Sequence, residues 1–187
     1  MAAETMTGSG GAPHEGKGLQ ARATGKGIKA IFLDRDGVIN RNIDKGYVTG
    51  WGLFEFLPSS LKAIAYVNKK GLLAILITNQ SCINRGLVKR ETVDGIHKLM
   101  LAEIERAGGK LDAIYMCPHR PDEGCACRKP RAELLERAMR DFKLEPEEVL
   151  FVGDHDRDRG AAEAARCRYD QVGEGRSLLE IVREWLG

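Results

Sequence analysis

The sequence predicts an α/β domain: a Rossmann-like three-layer sandwich with a mainly parallel sheet. Three observations point there. Short runs that are apolar throughout, rather than alternating, recur between segments of helical spacing. Strands of that kind are buried on both faces, and strand–helix alternation covers a parallel sheet on both sides. Several runs also end in chemically capable polar residues, and open α/β sheets bind ligands beyond the carboxyl ends of their strands. A length of 187 residues suits one domain with a sizeable core.

Taken in order, residues 1–27 are rich in Gly, Ala, Thr and Ser without hydrophobic period, and are expected to be a disordered tail. The domain is expected over residues 28–187. Residues 31–33, Ile-Phe-Leu, form a first strand that runs into Asp34 and Asp36. A helix over 59–70 starts after Pro58, stops at Gly71, and carries Leu61, Ile64, Ala65 and Asn68 at helical spacing. A second strand, 72–77, ends at Thr78-Asn79-Gln80. The helix 89–107 aligns Val93, Ile96, Met100 and Ile104 on one face and closes at Gly108-Gly109. A third strand covers 113–116, and a helix over 132–142 buries Leu134, Leu135, Ala138 and Met139. A fourth strand, 149–152, leads to Gly153-Asp154, and an Ala-rich helix is expected over 160–166. A weak strand near 168–172 and a helix over 177–185, with Leu178, Val182 and Trp185 inward, complete the chain. Between Asp36 and Thr78 there is room for one loop and one helix, so no large cap domain is expected.

Bulk properties narrow the partners. A formal charge of +2 gives no global drive toward nucleic acid or membrane. No apolar run approaches the roughly 20 residues that span a bilayer. The N-terminal segment lacks the apolar stretch of a signal peptide, so a cytoplasmic protein is the expectation, acting as a monomer.

The strand ends carry the chemistry. Two acids one residue apart at the end of a buried strand are costly unless a cation or a reaction needs them. Asp34 and Asp36 are joined by Thr78 through Ser81, by Arg128-Lys129, and by Asp154 with Asp158. Each type has a task in phosphoryl transfer. A carboxylate attacks phosphorus to give an aspartyl-phosphate, and a second carboxyl protonates the leaving alcohol and then activates water. A hard cation such as Mg²⁺ lets several carboxylates sit beside a phosphate. A hydroxyl and an ammonium hold the remaining phosphoryl oxygens. A small phosphorylated metabolite is therefore the expected partner.

Three of the five cysteines fall within eleven residues: Cys117-Pro118-His119 and Cys125-Ala126-Cys127 give C-x-H-x₅-C-x-C. Three thiolates and one imidazole match a closed tetrahedral Zn²⁺ site, structural because no open position remains. Binding would pin the loop just before Arg128 and Lys129.

The segment Asp34-Arg35-Asp36-Gly37-Val38-Ile39-Asn40 resembles the first motif of the haloacid dehalogenase superfamily of phosphatases. Thr78, Lys129 and Gly153-Asp154-x-x-x-Asp158 are similar to its second, third and fourth motifs. The resemblance implies Asp34 as nucleophile and Asp36 as general acid/base. It implies Mg²⁺ held by Asp34, the backbone carbonyl of Asp36, and Asp154, with Asp158 as a supporting acid. The Cys/His loop ahead of Arg128-Lys129-Pro130 resembles those of heptose 1,7-bisphosphate phosphatases and histidinol-phosphate phosphatases. Segments 44–48, 54–58 and 78–86 favour the former. That likeness implies substrate contacts from Asp44, Lys45, Gly46, Tyr47, Thr78, Asn79, Gln80, Ser81, Arg128 and Lys129, with Arg85 toward a distal phosphate. Cys82 stands where that family usually has Gly, and His155 where Lys is common. Histidinol phosphate or another small sugar phosphate stays an alternative substrate. Outside the enzymes, a phospho-ligand binding module is the alternative, against which the presence of both Asp34 and Asp36 argues.

Overall fold

The computed structural model describes residues 4–6, 27–173 and 175–187. Its sheet has six strands: β1 Glu4–Met6, β2 Ala30–Leu33, β3 Leu73–Asn79, β4 Ala113–Cys117, β5 Val149–Gly153 and β6 Arg168–Gln171. Their spatial order is β1-β4-β3-β2-β5-β6. Five strands run parallel, and β1 joins the β4 edge antiparallel. The chain builds outward from β2 through β3 to β4, then crosses back to lay β5 on the other side of β2. That reversal puts the ligand crevice at the carboxyl end of β2.

Register does the positioning. Leu33 is level with Leu76 on β3 and with Val152 on β5. Asp34, Thr78 and Asp154 therefore emerge one or two residues beyond a common line. The Asp34 amide donates to the Val152 carbonyl at 3.0 Å, which extends the ladder into the site.

Among the described residues the five α-helices are α1 Ser60–Lys69, α2 Arg90–Arg106, α3 Glu133–Phe142, α4 Asp156–Ala164 and α5 Leu178–Leu186. Strand β2 shows why its run is wholly apolar. Ile31 and Leu33 face the core beneath α1, α2 and α5, while Ala30 and Phe32 face the core beneath α3 and α4. Each fully buried side chain of this size adds about 1.5–3 kcal/mol. No helix among the described residues is long and apolar enough to cross a membrane.

Four expectations shift. Within the expected tail, Glu4–Met6 forms β1, pairing Thr5 with Tyr115; residues 1–3 and 7–26 lie outside the described ones. Helix α4 starts at Asp156 rather than near residue 160. The His155 ring accepts from the Arg157 amide at 3.3 Å and the Asp158 carboxylate accepts from the His155 amide at 3.2 Å, so a charged run forms a capping box. On α1 the buried face is Ser60, Ala63, Ile64 and Val67; Asn68 instead bonds the Leu72 carbonyl and the Lys110 amide from the helix edge. On α5, Ile181 and Leu186 share the core with Leu178 and Val182, while Trp185 is half-buried and donates its indole N–H to Asp170 at 2.7 Å.

Candidate active site

Lys129 is the hub of the crevice. Its ammonium is fully buried and lies 2.9 Å from Asp34, 2.7 Å from Asp158 and 2.9 Å from the Ile77 carbonyl. Burial alone would lower its pKa, but the charges of Asp34 and Asp158 outweigh this and push it up. Asp34 moves up as well, first because it is buried and also because Asp158 and Asp36 crowd it against the pull of Lys129. Burial, then Asp158, raises Asp154. Ligand oxygens of Asp34, Asp154 and Asp158 all lie within 4.8 Å of one another. Three carboxylates against one ammonium leave a local deficit of two positive charges when ionised, the charge of one divalent cation. One Asp154 oxygen is buried without a hydrogen-bond partner, the state expected of an atom reserved for a cation. The oxygen-only donor set suits a hard ion such as Mg²⁺.

Two glycines make that cluster possible. Gly37 has φ +89°, and a Cβ there would fall 2.0 Å from an Asp154 carboxylate oxygen. A Cβ on Gly153 would lie 2.4 Å from Cβ of Asp158. The glycines beside the acids in both motifs are space for carboxylates.

Asp36 has a different setting. Arg35, fully buried, grips it with Nε at 3.3 Å and Nη2 at 3.0 and 3.1 Å. Asn40 and Gln80 donate amide N–H groups to it at 2.9 and 2.8 Å. Burial would raise its pKa, but Arg35, Asn40 and Gln80 prevail and hold it below the usual carboxylate range. The other side of Arg35 meets the His97 ring at 3.2 Å. His97 is buried on α2, and burial, then the Arg35 charge, push its pKa down to about 3. It is neutral near pH 7. His97, Arg35 and Asn40 were not singled out from the sequence. The available signal was a histidine in register with Val93, Ile96 and Met100 on an apolar helix face.

The other expected residues divide. Thr78 is buried, and its hydroxyl accepts from Gln80 at 2.9 Å, leaving its hydrogen free to donate. Asn79 and Lys129 exchange two hydrogen bonds, both 3.2 Å, which fixes the lysine backbone. Tyr47 and Ser81 share a hydrogen bond at 3.2 Å. A cavity of about 360 Å³ adjoins Asp36 and is also walled by Lys45, Gly46, Tyr47, Asn79, Ser81, Arg128, His155 and Arg157. Asp44 and Arg85 are exposed and are not among its walls. Cys82 is buried against Val93 and Met116, a packing residue.

The Cys/His loop holds its four groups in one cluster. Sulfur–sulfur distances are 3.7 Å for Cys117–Cys125 and 3.7 Å for Cys125–Cys127. His119 Nδ1 lies 3.5 Å from Cys117 and 3.3 Å from Cys127. A tetrahedral Zn²⁺ with metal–sulfur bonds of about 2.3 Å and metal–nitrogen of about 2.0 Å has edges of about 3.8 and 3.5 Å. The cluster already has that size, while a disulfide needs about 2.05 Å. Burial pushes the Cys127 thiol up to about 11 and Cys117 higher still, so the loop carries protons unless a cation holds the thiolates. Beyond the loop, Arg128 donates back to the His119 carbonyl at 3.0 Å.

A carboxylate pair, a buried lysine and a three-carboxylate cluster that could hold a cation, set at the strand ends of this sheet, mark a phosphatase of the haloacid dehalogenase class. A family model described as HAD-hyrolase-like matches residues 126–184. The D-glycero-beta-D-manno-heptose-1,7-bisphosphate 7-phosphatase of Bordetella bronchiseptica is 42% identical over 154 residues, 81% of this chain and 86% of that one. The D-glycero-alpha-D-manno-heptose-1,7-bisphosphate 7-phosphatase of Campylobacter jejuni is 42% identical over 127 residues, 68% of this chain and 72% of that one. The crystal structure of D,D-heptose 1,7-bisphosphate phosphatase from B. bronchiseptica, complexed with magnesium and phosphate, superimposes with a TM-score of 0.78 at 36% identity, covering 85% of this chain and 98% of that one. The chain belongs to the heptose-1,7-bisphosphate 7-phosphatase family of haloacid dehalogenase-like hydrolases.

Proposed function

We infer that this chain removes the C7 phosphate of D-glycero-D-manno-heptose 1,7-bisphosphate through an aspartyl-phosphate on Asp34. The observation that carries the chemistry is the two-charge deficit around Lys129, which suits one divalent cation held where a phosphate would bind. The names of the relatives supply the sugar.

As the substrate phosphate binds, Asp36 takes a proton from solvent; an Asp34 carboxylate oxygen attacks phosphorus, the phosphorus–oxygen bond to the sugar breaks, and Asp36 gives that proton to the departing alcohol. Water then attacks the aspartyl-phosphate and yields a proton to Asp36, freeing phosphate and restoring Asp34. At rest Arg35, Asn40 and Gln80 keep Asp36 ionised. A phosphate dianion beside it raises its proton affinity, the direction the first step needs. Lys129 and the free hydrogen of Thr78 take phosphoryl oxygens, and Lys45, Gly46, Tyr47, Asn79, Ser81 and Arg128 line the space for the sugar. Asp34, Asp154 and the Asp36 carbonyl would hold Mg²⁺, which supplies charge neutralisation at the phosphoryl group. Cys117, His119, Cys125 and Cys127 would hold a structural Zn²⁺ that orients Arg128 and Lys129.

Phosphate release from heptose 1,7-bisphosphate, measured beside histidinol phosphate, tests the reading. At least a hundredfold preference in kcat/KM for the heptose is expected; the reverse preference would overturn the substrate. Light scattering checks the monomer.

A further inference from the structure

Two of the cations near the crevice are already committed. Lys129 is buried between Asp34 and Asp158, and Arg35 is buried between Asp36 and His97. Neither is available to a second phosphate on the same substrate. The cavity that adjoins Asp36 carries three further fixed cations, Lys45, Arg128 and Arg157. Lys45 is exposed, and Arg128 spends one guanidinium nitrogen on the His119 carbonyl. Arg157 differs from both. It is half-buried in the first turn of α4, and its Nε is shielded from water with no hydrogen-bond partner. Of the acids around it, Asp36 is held by Arg35, Asp158 by Lys129, and Asp156 is exposed; Asp154 feels the Arg157 charge, yet its buried Oδ1 and the Arg157 Nε are both without a hydrogen-bond partner. A desolvated guanidinium donor without an acceptor is costly, and a guanidinium presents donors in a planar fork that matches a phosphate. The α4 N-terminus adds positive potential on the same side.

The geometry points to Arg157 as the residue that takes the second, non-reacting phosphate of the bisphosphate, assisted by Lys45 and Arg128. Arg157 is then a specificity-determining residue, and the exposed Arg85 is not. The inference rests on the bisphosphate reading above. A competing role is an electrostatic one, since the Arg157 charge also reaches Asp154 and lowers its proton affinity. That role would act alike on every phosphate ester.

The two roles separate in binding measured by calorimetry on the full chain with Mg²⁺, in an Asp34→Asn background that blocks turnover. With Arg157 present, heptose 1,7-bisphosphate binds at least about tenfold more tightly than heptose 7-phosphate, the scale of one charge-assisted contact. With Arg157→Ala added, that ratio falls below about threefold, and Arg157→Lys restores part of it. An unchanged ratio, an equal loss for both ligands, or no initial preference for the bisphosphate would each overturn the assignment. Phosphate release by the unmodified protein is read separately, so failure of the catalytic reading is distinguishable from failure of the Arg157 assignment. Circular dichroism of each variant excludes loss of fold as the cause.

Discussion

The Cys/His loop and the carboxylate crevice are two ligand clusters built by opposite routes. The loop draws its four groups from residues 117–127, and their mutual distances already match the edges of a metal tetrahedron. The crevice draws Asp34, Lys129, Asp154 and Asp158 from ends of the sheet far apart in sequence, and balances them through ion pairs. In the loop a cation is what would make the groups compatible. In the crevice Lys129 provides part of the compensation, so the acids can be buried before any metal arrives. The contrast teaches that spacing alone can specify a soft-ligand site, whereas a hard-ligand site needs tertiary pairing to be stable while open.

The largest expected effect breaks the crevice chemically while sparing the loop. Asp34→Asn should lower phosphate release by at least about 10³-fold, as for loss of a covalent nucleophile, with zinc content and circular dichroism unchanged. Residual activity near that of the original protein would remove Asp34 from its role.

Next comes the pairing itself. Arg35→Met leaves Asp36 without its guanidinium and should cost about 3–5 kcal/mol of stability, read from urea unfolding. A cost under about 1 kcal/mol would mean that Asn40 and Gln80 suffice.

Cys125→Ser attacks the other cluster. The wild-type chain should hold about one zinc by elemental analysis, and the variant should lose it. It should lose about 3 kcal/mol as well, roughly 6–12 °C in Tm for a chain of this size. Retained zinc would show that three ligands are enough.

A smaller effect concerns pH. In the fold, burial and the Arg35 charge push the His97 pKa down to about 3, against about 6.5 for an ordinary histidine. Below pH 6.5 the unfolded chain takes a proton that the folded chain refuses. The stabilisation is therefore full above about pH 6.5 and declines as pH falls toward 3, by at most about 1.4 kcal/mol per pH unit. His97→Gln should flatten the slope of unfolding free energy between pH 6 and 4. An unaltered slope would place that dependence elsewhere.

The smallest effect calibrates the rest. Arg41 and Glu55 form an exposed ion pair at 2.9 Å. Arg41→Ala should change stability by less than about 0.5 kcal/mol, measured in the same urea titration.

Some of this was legible in the sequence and some was not. The apolar runs at 31–33 and 149–152 announce strands because both faces of the sheet are covered, which removes polar alternation. Leu134, Leu135, Ala138 and Met139 are buried as their spacing predicts. Apolar periodicity did not show the start of α4, because its cap is built from His155 and Asp158 and its first turn carries Asp156, Arg157 and Asp158. Arg35 was hidden because an arginine beside an aspartate looks exposed until His97 arrives from α2 and the pair is buried.

The sequence by itself determined the alternation of strands and helices, the C-x-H-x₅-C-x-C loop, and the acids at the strand ends. Those depend on local periodicity and spacing, which a linear chain records. Only the tertiary structure decided which charges meet: Lys129 between Asp34 and Asp158, Arg35 between Asp36 and His97 of α2, and Arg157 with its Nε unpartnered beside the cavity. Those depend on strand register and burial, because Coulomb energy and desolvation are set by distances across the fold and not along the chain.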